Sequence, residues 1–352
     1  MLTTVVAGRT WQFSHSIGRP TAEHNGKTGG FMYPIGVAAV SGGILFVLSR
    51  GFGLPSFSDG VADIYRRIGK VRIDQEHIGD FARCEFTWPS GIAVAGDGRV
   101  FCADEHENDI SFYDPDGVIA FPEYGPDGER LGDWGEQGTA PGQINGPAGL
   151  AFDADDNLYV VDSRNDRVQH FTKDGRYLSG WGESGSAEGQ FKRPWGITVD
   201  GDGFVYVADW GNDRVQKFTA DGEHVLTFGS ELYDGGELDH PADVGVDSDG
   251  DVYVADWGNR RVQIYESNGD VITALYGDAK ERSKAEEYLF NRNASTAQVF
   301  NQNSDSEGFA VLGKFGRTSA LAVDDEDRII VADSRGRLQV YQKDHDYVDL
   351  TP

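Results

Sequence analysis

Carboxylates recur along this chain at spacings that could hold a cation. Asp153-Asp155-Asp156, Asp200-Asp202 and Asp247-Asp249-Asp251 resemble fragments of calcium loops. A complete loop also needs a glycine at its sixth position and a bidentate Glu at its twelfth, and all three runs lack both. We read them as hairpin turns. A second series is Asp162, Asp209, Asp256 and Asp333, followed within five residues by Arg167, Arg214, Arg261 and Arg337. Such pairs form charge-assisted hydrogen bonds, and their regular repetition marks them as scaffold. His240 and Asp243, three residues apart, are the weak candidates for a metal, calcium or zinc. Cys84 and Cys102 have no metal-ligand spacing and read as two free thiols. No Ser/His/Asp nucleophile pattern and no phosphate-binding glycine loop is present.

The elements that must position these residues are short strands. Pro147-Ala148-Gly149-Leu150-Ala151-Phe152-Asp153 aligns without gaps to segments beginning at Pro194 and Pro241, and successive prolines are 47 residues apart. Each segment leads through an Asp/Gly turn to an apolar strand ending in Asp (Tyr159 to Asp162, Tyr206 to Asp209, Tyr253 to Asp256). Asn-x-Arg-Val-Gln follows at Asn165, Asn212 and Asn259, and then a strand ending in glycine at Gly182 or Gly229. Four short strands per repeat make one propeller blade. Fainter copies start at Pro34, Pro89 and Thr318, so six inner strands imply six blades.

At these residues the chain resembles the NHL-repeat family, whose unit reads roughly G-Q-F-x-x-P-x-G-I-A-V-D, Y-V-A-D and N-x-R-V-Q. Gly189-Gln190-Phe191-Lys192-Arg193-Pro194 and Gly142-Gln143-Ile144-Asn145-Gly146-Pro147 carry the likeness. It implies an all-β, six-bladed propeller of four antiparallel strands per blade, one domain spanning residues 1–352. Closing the ring needs a terminal strand beside the last blade. Trp11 to Gly18 is the expected one, and Tyr347 to Leu350 is its rival.

Function is sought where the chain departs from its own repeat. The proline spacing lengthens to 58 between Pro89 and Pro147, to 55 between Pro34 and Pro89, and to 77 between Pro241 and Thr318. The first excess falls between third and fourth strands at Pro115 to Pro126. The second is mostly Phe52 to Gly60, between second and third strands. The last, about 278–312, joins blades five and six; Asp278 with Glu281 makes a capping box, so the insertion is expected to be partly helical and to form a lid. The links between blades and those from second to third strand share one face, and the candidate site lies there. Its residues are Tyr33, Trp88, Arg193, His240 and Arg317 ahead of the inner strands, Trp195 and Asp243 on them, and His106 in a blade-two link. Asp243 stands where other blades have Gly36, Gly91, Gly149 and Gly196, and His240 is its expected partner.

Charge narrows the partners. With 31 basic and 58 acidic residues the net charge is −27, which repels a phosphate backbone, so nucleic acid is not expected. No run nears the roughly 20 apolar residues that span a bilayer, and the first residues do not read as a signal peptide, so a soluble, cytoplasmic protein is expected. Two readings remain. One is a binding scaffold holding a partner protein or a small molecule at the lidded channel mouth, with a homo-oligomer as a further option and no cofactor. The other is a metal-dependent hydrolase or lyase with its site at the same mouth. Related lyases that cleave peptidyl-hydroxyglycine hold zinc with histidines after the inner-strand prolines, where this chain has Ile35, Ser90, Ala148, Trp195, Ala242 and Ser319. Esterase-type propellers use several oxygen ligands at the channel, where Asp243 is the one clear carboxylate. The binding reading is therefore preferred.

Overall fold

The computed structural model of the protein describes residues 3–6, 9–18, 31–51, 66–82, 85–116, 129–229, 236–279, 283 and 313–344. Six sheets form the six blades of a propeller. After β1 (Thr3–Val6) and β2 (Arg9–Ile17), blade one holds β3 (Pro34–Val40), β4 (Ile44–Ser49), β5 (Arg67–Arg72) and β6 (His77–Phe81). Blade two holds β7 (Pro89–Val94), β8 (Val100–Asp104), β9 (Asp109–Asp114) and β10 (Glu129–Trp134). Blade three holds β11 (Pro147–Phe152), β12 (Asn157–Asp162), β13 (Arg167–Thr172) and β14 (Tyr177–Trp181). Blade four holds β15 (Ile197–Val199), β16 (Val205–Asp209), β17 (Arg214–Phe218) and β18 (His224–Phe228). Blade five holds β19 (Pro241–Val246), β20 (Val252–Asp256), β21 (Arg261–Tyr265) and β22 (Val271–Leu275). Blade six holds β23 (Thr318–Val323), β24 (Arg328–Asp333) and β25 (Arg337–Asp344).

The second strands are apolar at their interior positions because both of their faces are covered. Alternation along β16 sends Val205 and Val207 into the core shared with blade three, and Tyr206 and Ala208 into the core shared with blade five. A period of two therefore glues each blade to both neighbours.

The N-terminal strand closes the ring. β2 pairs antiparallel with β25, placing Ser16 opposite Gln339 and Ile17 opposite Leu338, and β1 adds a fifth strand outside it. The rival segment, Tyr347 to Leu350, lies outside the described residues. β2 also reaches blade five: Trp11 Nε1 donates to Tyr253 Oη (2.9 Å), whose hydroxyl donates to Asp247 (2.7 Å), and Arg9 lies 3.1 Å from Asp251 and 2.9 Å from Glu266.

The repeat excesses fall at the expected places in strand order, between β4 and β5, between β9 and β10, and between β22 and β23. Phe52 to Gly60 and most of 278–312 lie outside the described residues, and with them the expected helical lid. Among the described residues, the helical segments are two single 3₁₀ turns, Ser163–Asn165 and Trp210–Asn212. No described helix is long and apolar enough to cross a membrane.

Candidate functional site

The carboxylates that end the second strands are scaffold. Asp162 accepts hydrogen bonds from Asn145 N, Asn165, Arg167 and Gln169 at 2.6 to 3.0 Å, and Asp209 repeats the arrangement with Lys192 N, Asn212, Arg214 and Gln216. Asp247, Asp249 and Asp251 likewise make a hairpin turn, and the cation among them is the ammonium of Lys343, 2.6, 2.8 and 2.9 Å away. Burial raises the Asp251 carboxyl, Lys343 opposes that rise, and the three carboxylates in turn raise Lys343.

A second repeated contact builds the rim of the channel. Gly146, Arg193 and His240 precede inner-strand prolines in left-handed backbone. Their N–H groups donate to Asn108, Asp166 and Asp213 of the preceding blade at 2.7 to 2.8 Å. Those acceptors are left-handed too, a conformation that Asn and Asp tolerate better than most residues. Tyr33 shares the left-handed geometry, with φ 55°, and stands exposed.

At three seams of this rim, the residue after a second strand meets the residue before the next inner strand. Arg50 lies over the Trp88 ring (4.6 Å) and pairs with Glu105 at 2.6 Å. Trp210 meets the His240 ring edge-on, with centroids 4.1 Å apart, and Trp257 stands 6.3 Å from His240 and 6.4 Å from Trp210, so the three rings form a triangle. Arg317 then covers Trp257 at 4.0 Å. Trp210, His240, Trp257 and Arg317 thus form a continuous cluster of planar groups across blades four, five and six. Contacts of this type gain strength when desolvated.

His240 is not the partner of Asp243. Its Nδ1 lies 2.5 Å from Asp239 and 3.5 Å from Asp213. Asp243 instead accepts from Leu321 N of blade six and from its own neighbour Val244 N, both at 3.0 Å. The reason is geometric. Inner strands converge so closely that a Cβ at Gly91 or Gly149 would meet the next blade's backbone at 2.0 or 2.5 Å, and blade six spares that room at Asp243. The Asp243 side chain fills the gap and ties the two strands. Burial pushes its carboxyl up to about 7, against the two N–H groups that favour the charged form.

Asp243 and Trp195 line a central cavity of about 300 Å³ bounded by the inner strands of all six blades. Arg193 is exposed on the rim and makes no salt bridge among the described residues, whereas His106 touches Glu107 at 3.2 Å. The structure therefore joins His240 to Arg317 through Trp257 and holds Trp88 with Arg50. Trp210, Trp257, Arg50 and Asp239 were not expected. The signal was there, because Asp-Trp-Gly-Asn occurs at 209–212 and 256–259, where blade three reads Asp-Ser-Arg-Asn at 162–165.

Residues 133–231 match the SMP-30/gluconolactonase/LRE-like region family, and residues 238–265 match the NHL repeat. The sequence matches no curated protein significantly. A virginiamycin B lyase structure from Staphylococcus aureus is similar with a TM-score of 0.56 at 12% identity, covering 94% of this chain and 99% of that one. A gluconolactonase from Xanthomonas campestris gives 0.56 at 12%, covering 94% and 98%. A protein of unknown function from Bacteroides thetaiotaomicron gives 0.63 at 17%, covering 96% and 76%. At such identities the likeness shows the fold, and propellers carry many activities.

Proposed function

We propose that this chain, an NHL-repeat six-bladed β-propeller, is a binding scaffold that holds a small molecule or a peptide of a partner protein on its channel-mouth face. The observation that carries this reading is the cluster Trp210–His240–Trp257–Arg317, which the repeat does not require and which the other blades do not reproduce among the described residues. Rigid aromatic surface beside a few charges is what a ligand site needs. Arg50–Trp88–Glu105 supplies a second such group on the same rim. The described residues flanking the 278–312 insertion meet beside Arg317, where Phe315 N donates to Tyr276 O (2.8 Å), and the insertion is proposed as the lid of this face.

The lyase and the lactonase among the similar structures keep a catalytic reading in view. Among the described residues the channel presents one carboxylate, Asp243, and both of its oxygens already accept backbone N–H groups. That arrangement suits positioning better than proton transfer, which supports binding over catalysis.

The test is a small-molecule and peptide library screened by thermal shift with a chelator present, followed by calorimetry of the hits. Trp210→Ala, Trp257→Ala and Arg317→Ala are expected to weaken the hits tenfold or more while each metal-free protein keeps its fold. Undiminished affinity in all three variants would sink the proposal.

A further inference from the structure

Three side chains with metal-ligand atoms meet at the seam of blades four and five. His240 Nδ1 lies 2.5 Å from Asp239 Oδ1 and 3.5 Å from Asp213 Oδ1, and one ligand atom from each residue falls within 4.8 Å of the others. The side chains are open to solvent on one side, with 38 to 51% of their surface exposed.

Comparison of the blades separates what the fold needs here from what it does not. The bond from His240 N to Asp213 recurs as Arg193 N to Asp166 and as Gly146 N to Asn108, so Asp213 is in place for structural reasons. Asp239 and His240 have no such reason. Their counterparts are Lys192 and Arg193 in blade four, and Asn145 and Gly146 in blade three. Where blade four puts two cations, blade five puts a carboxylate and an imidazole beside an existing carboxylate. With a neutral ring the set carries a charge of −2, matched to a divalent ion.

We infer that Asp213, Asp239 and His240 bind one zinc ion at this seam. Two carboxylate oxygens with one imidazole nitrogen form a borderline donor set that zinc accepts, whereas calcium asks for six to eight oxygens. Zinc at about 2.0–2.2 Å from each donor sets tetrahedral ligands roughly 3.4 Å apart, so Asp239 has to withdraw from His240 by only about 1 Å. Trp210 and Trp257 pack together against the imidazole and limit its rotation, the orienting role that metal sites require of their surroundings. Three protein ligands leave a fourth position for water or for an oxygen or nitrogen donor of the bound ligand. That last use rests on the ligand-binding reading above, but the metal site itself does not.

The test is calorimetric titration of zinc into the full chain after chelator treatment, with magnesium and calcium as controls for the general pull of a −27 surface. One zinc per chain, with micromolar or tighter affinity, is expected. His240→Ala and Asp239→Asn should each weaken it at least tenfold, with the melting curve of the metal-free protein unchanged. Asp213→Asn should weaken it too and still fold, because Asn108 makes the same backbone bond with an amide oxygen. Cobalt gives a second readout on the unmutated protein, since a bound imidazole nitrogen changes its visible spectrum. No saturable zinc beyond the controls, wild-type affinity in the His240→Ala protein, or a cobalt spectrum equal to that of the aqueous ion would each overturn the inference. Because the metal is added alone, and the ligand screen is run with chelator, either proposal can fail without the other.

Discussion

Where β19 should present glycine to the crowded inner ring it presents Asp243, and the consequence is pH dependence. In the unfolded chain this carboxyl titrates near 4, and in the folded protein near 7. The folded state therefore binds the extra proton between those values. Its contribution to stability is full below about pH 4 and is lost as pH rises through 7, on the order of 4 kcal/mol in all. Asp243→Asn keeps an acceptor for Leu321 N and cannot ionise, so its stability between pH 4 and 8 should be flatter than that of the unmutated protein. Parallel curves from urea titrations at several pH values would contradict this. A different outcome awaits Arg214→Met. Asp209 keeps Lys192 N, Asn212 and Gln216, but the clamp from Arg214 to Ser186 O, Ala187 O and Gln190 O goes. A loss of about 3 kcal/mol is expected, as for other broken buried pairs, and denaturant midpoints will measure it. Both residues were readable beforehand, Asp243 as an exception and Arg214 as a repeat. The partner of Asp243 was not, because it depends on how far blade six stands from blade five, which no local pattern encodes. Trp210 and Trp257 were hidden for another reason: they lie inside the repeat and look like part of it until the blades are compared position by position.

Strands and their order were legible because a period of two, turn residues and the 47-residue spacing all agree. The closing strand was legible only as one of two options. What decides it are contacts more than 240 residues apart, such as Trp11 to Tyr253, together with the Arg9 and Lys343 pairs to the Asp247–Asp251 turn. Trp11→Ala should therefore cost about 3–5 kcal/mol, comparable to other large core truncations, and removal of residues 1–18 should lower both melting temperature and solubility. An unchanged melting curve after that deletion would mean that another segment closes the ring. Lys343→Met should destabilise by leaving three carboxylates together, and the deficit should shrink in acid as they protonate. A deficit that is constant with pH would show that Lys343 acts only through packing.

At the scale of the whole molecule, an acidic propeller gathers tryptophan, histidine and arginine on one face. The same face receives both ends of the 278–312 insertion. Replacing residues 280–312 by a short Gly-Ser link should leave the ring folded, since no blade strand is touched, and abolish binding of any ligand found by the screen. Full binding without the insertion would remove the lid from the account. The central claim, that the rim of blades four to six is the binding surface, is met most directly by crystallographic fragment soaking of the full chain. Fragments are expected to concentrate against Trp210, His240, Trp257 and Arg317, with a second group at Arg50 and Trp88. Fragments gathered instead on the opposite, Asp-rich turns, with this rim bare, would contradict it.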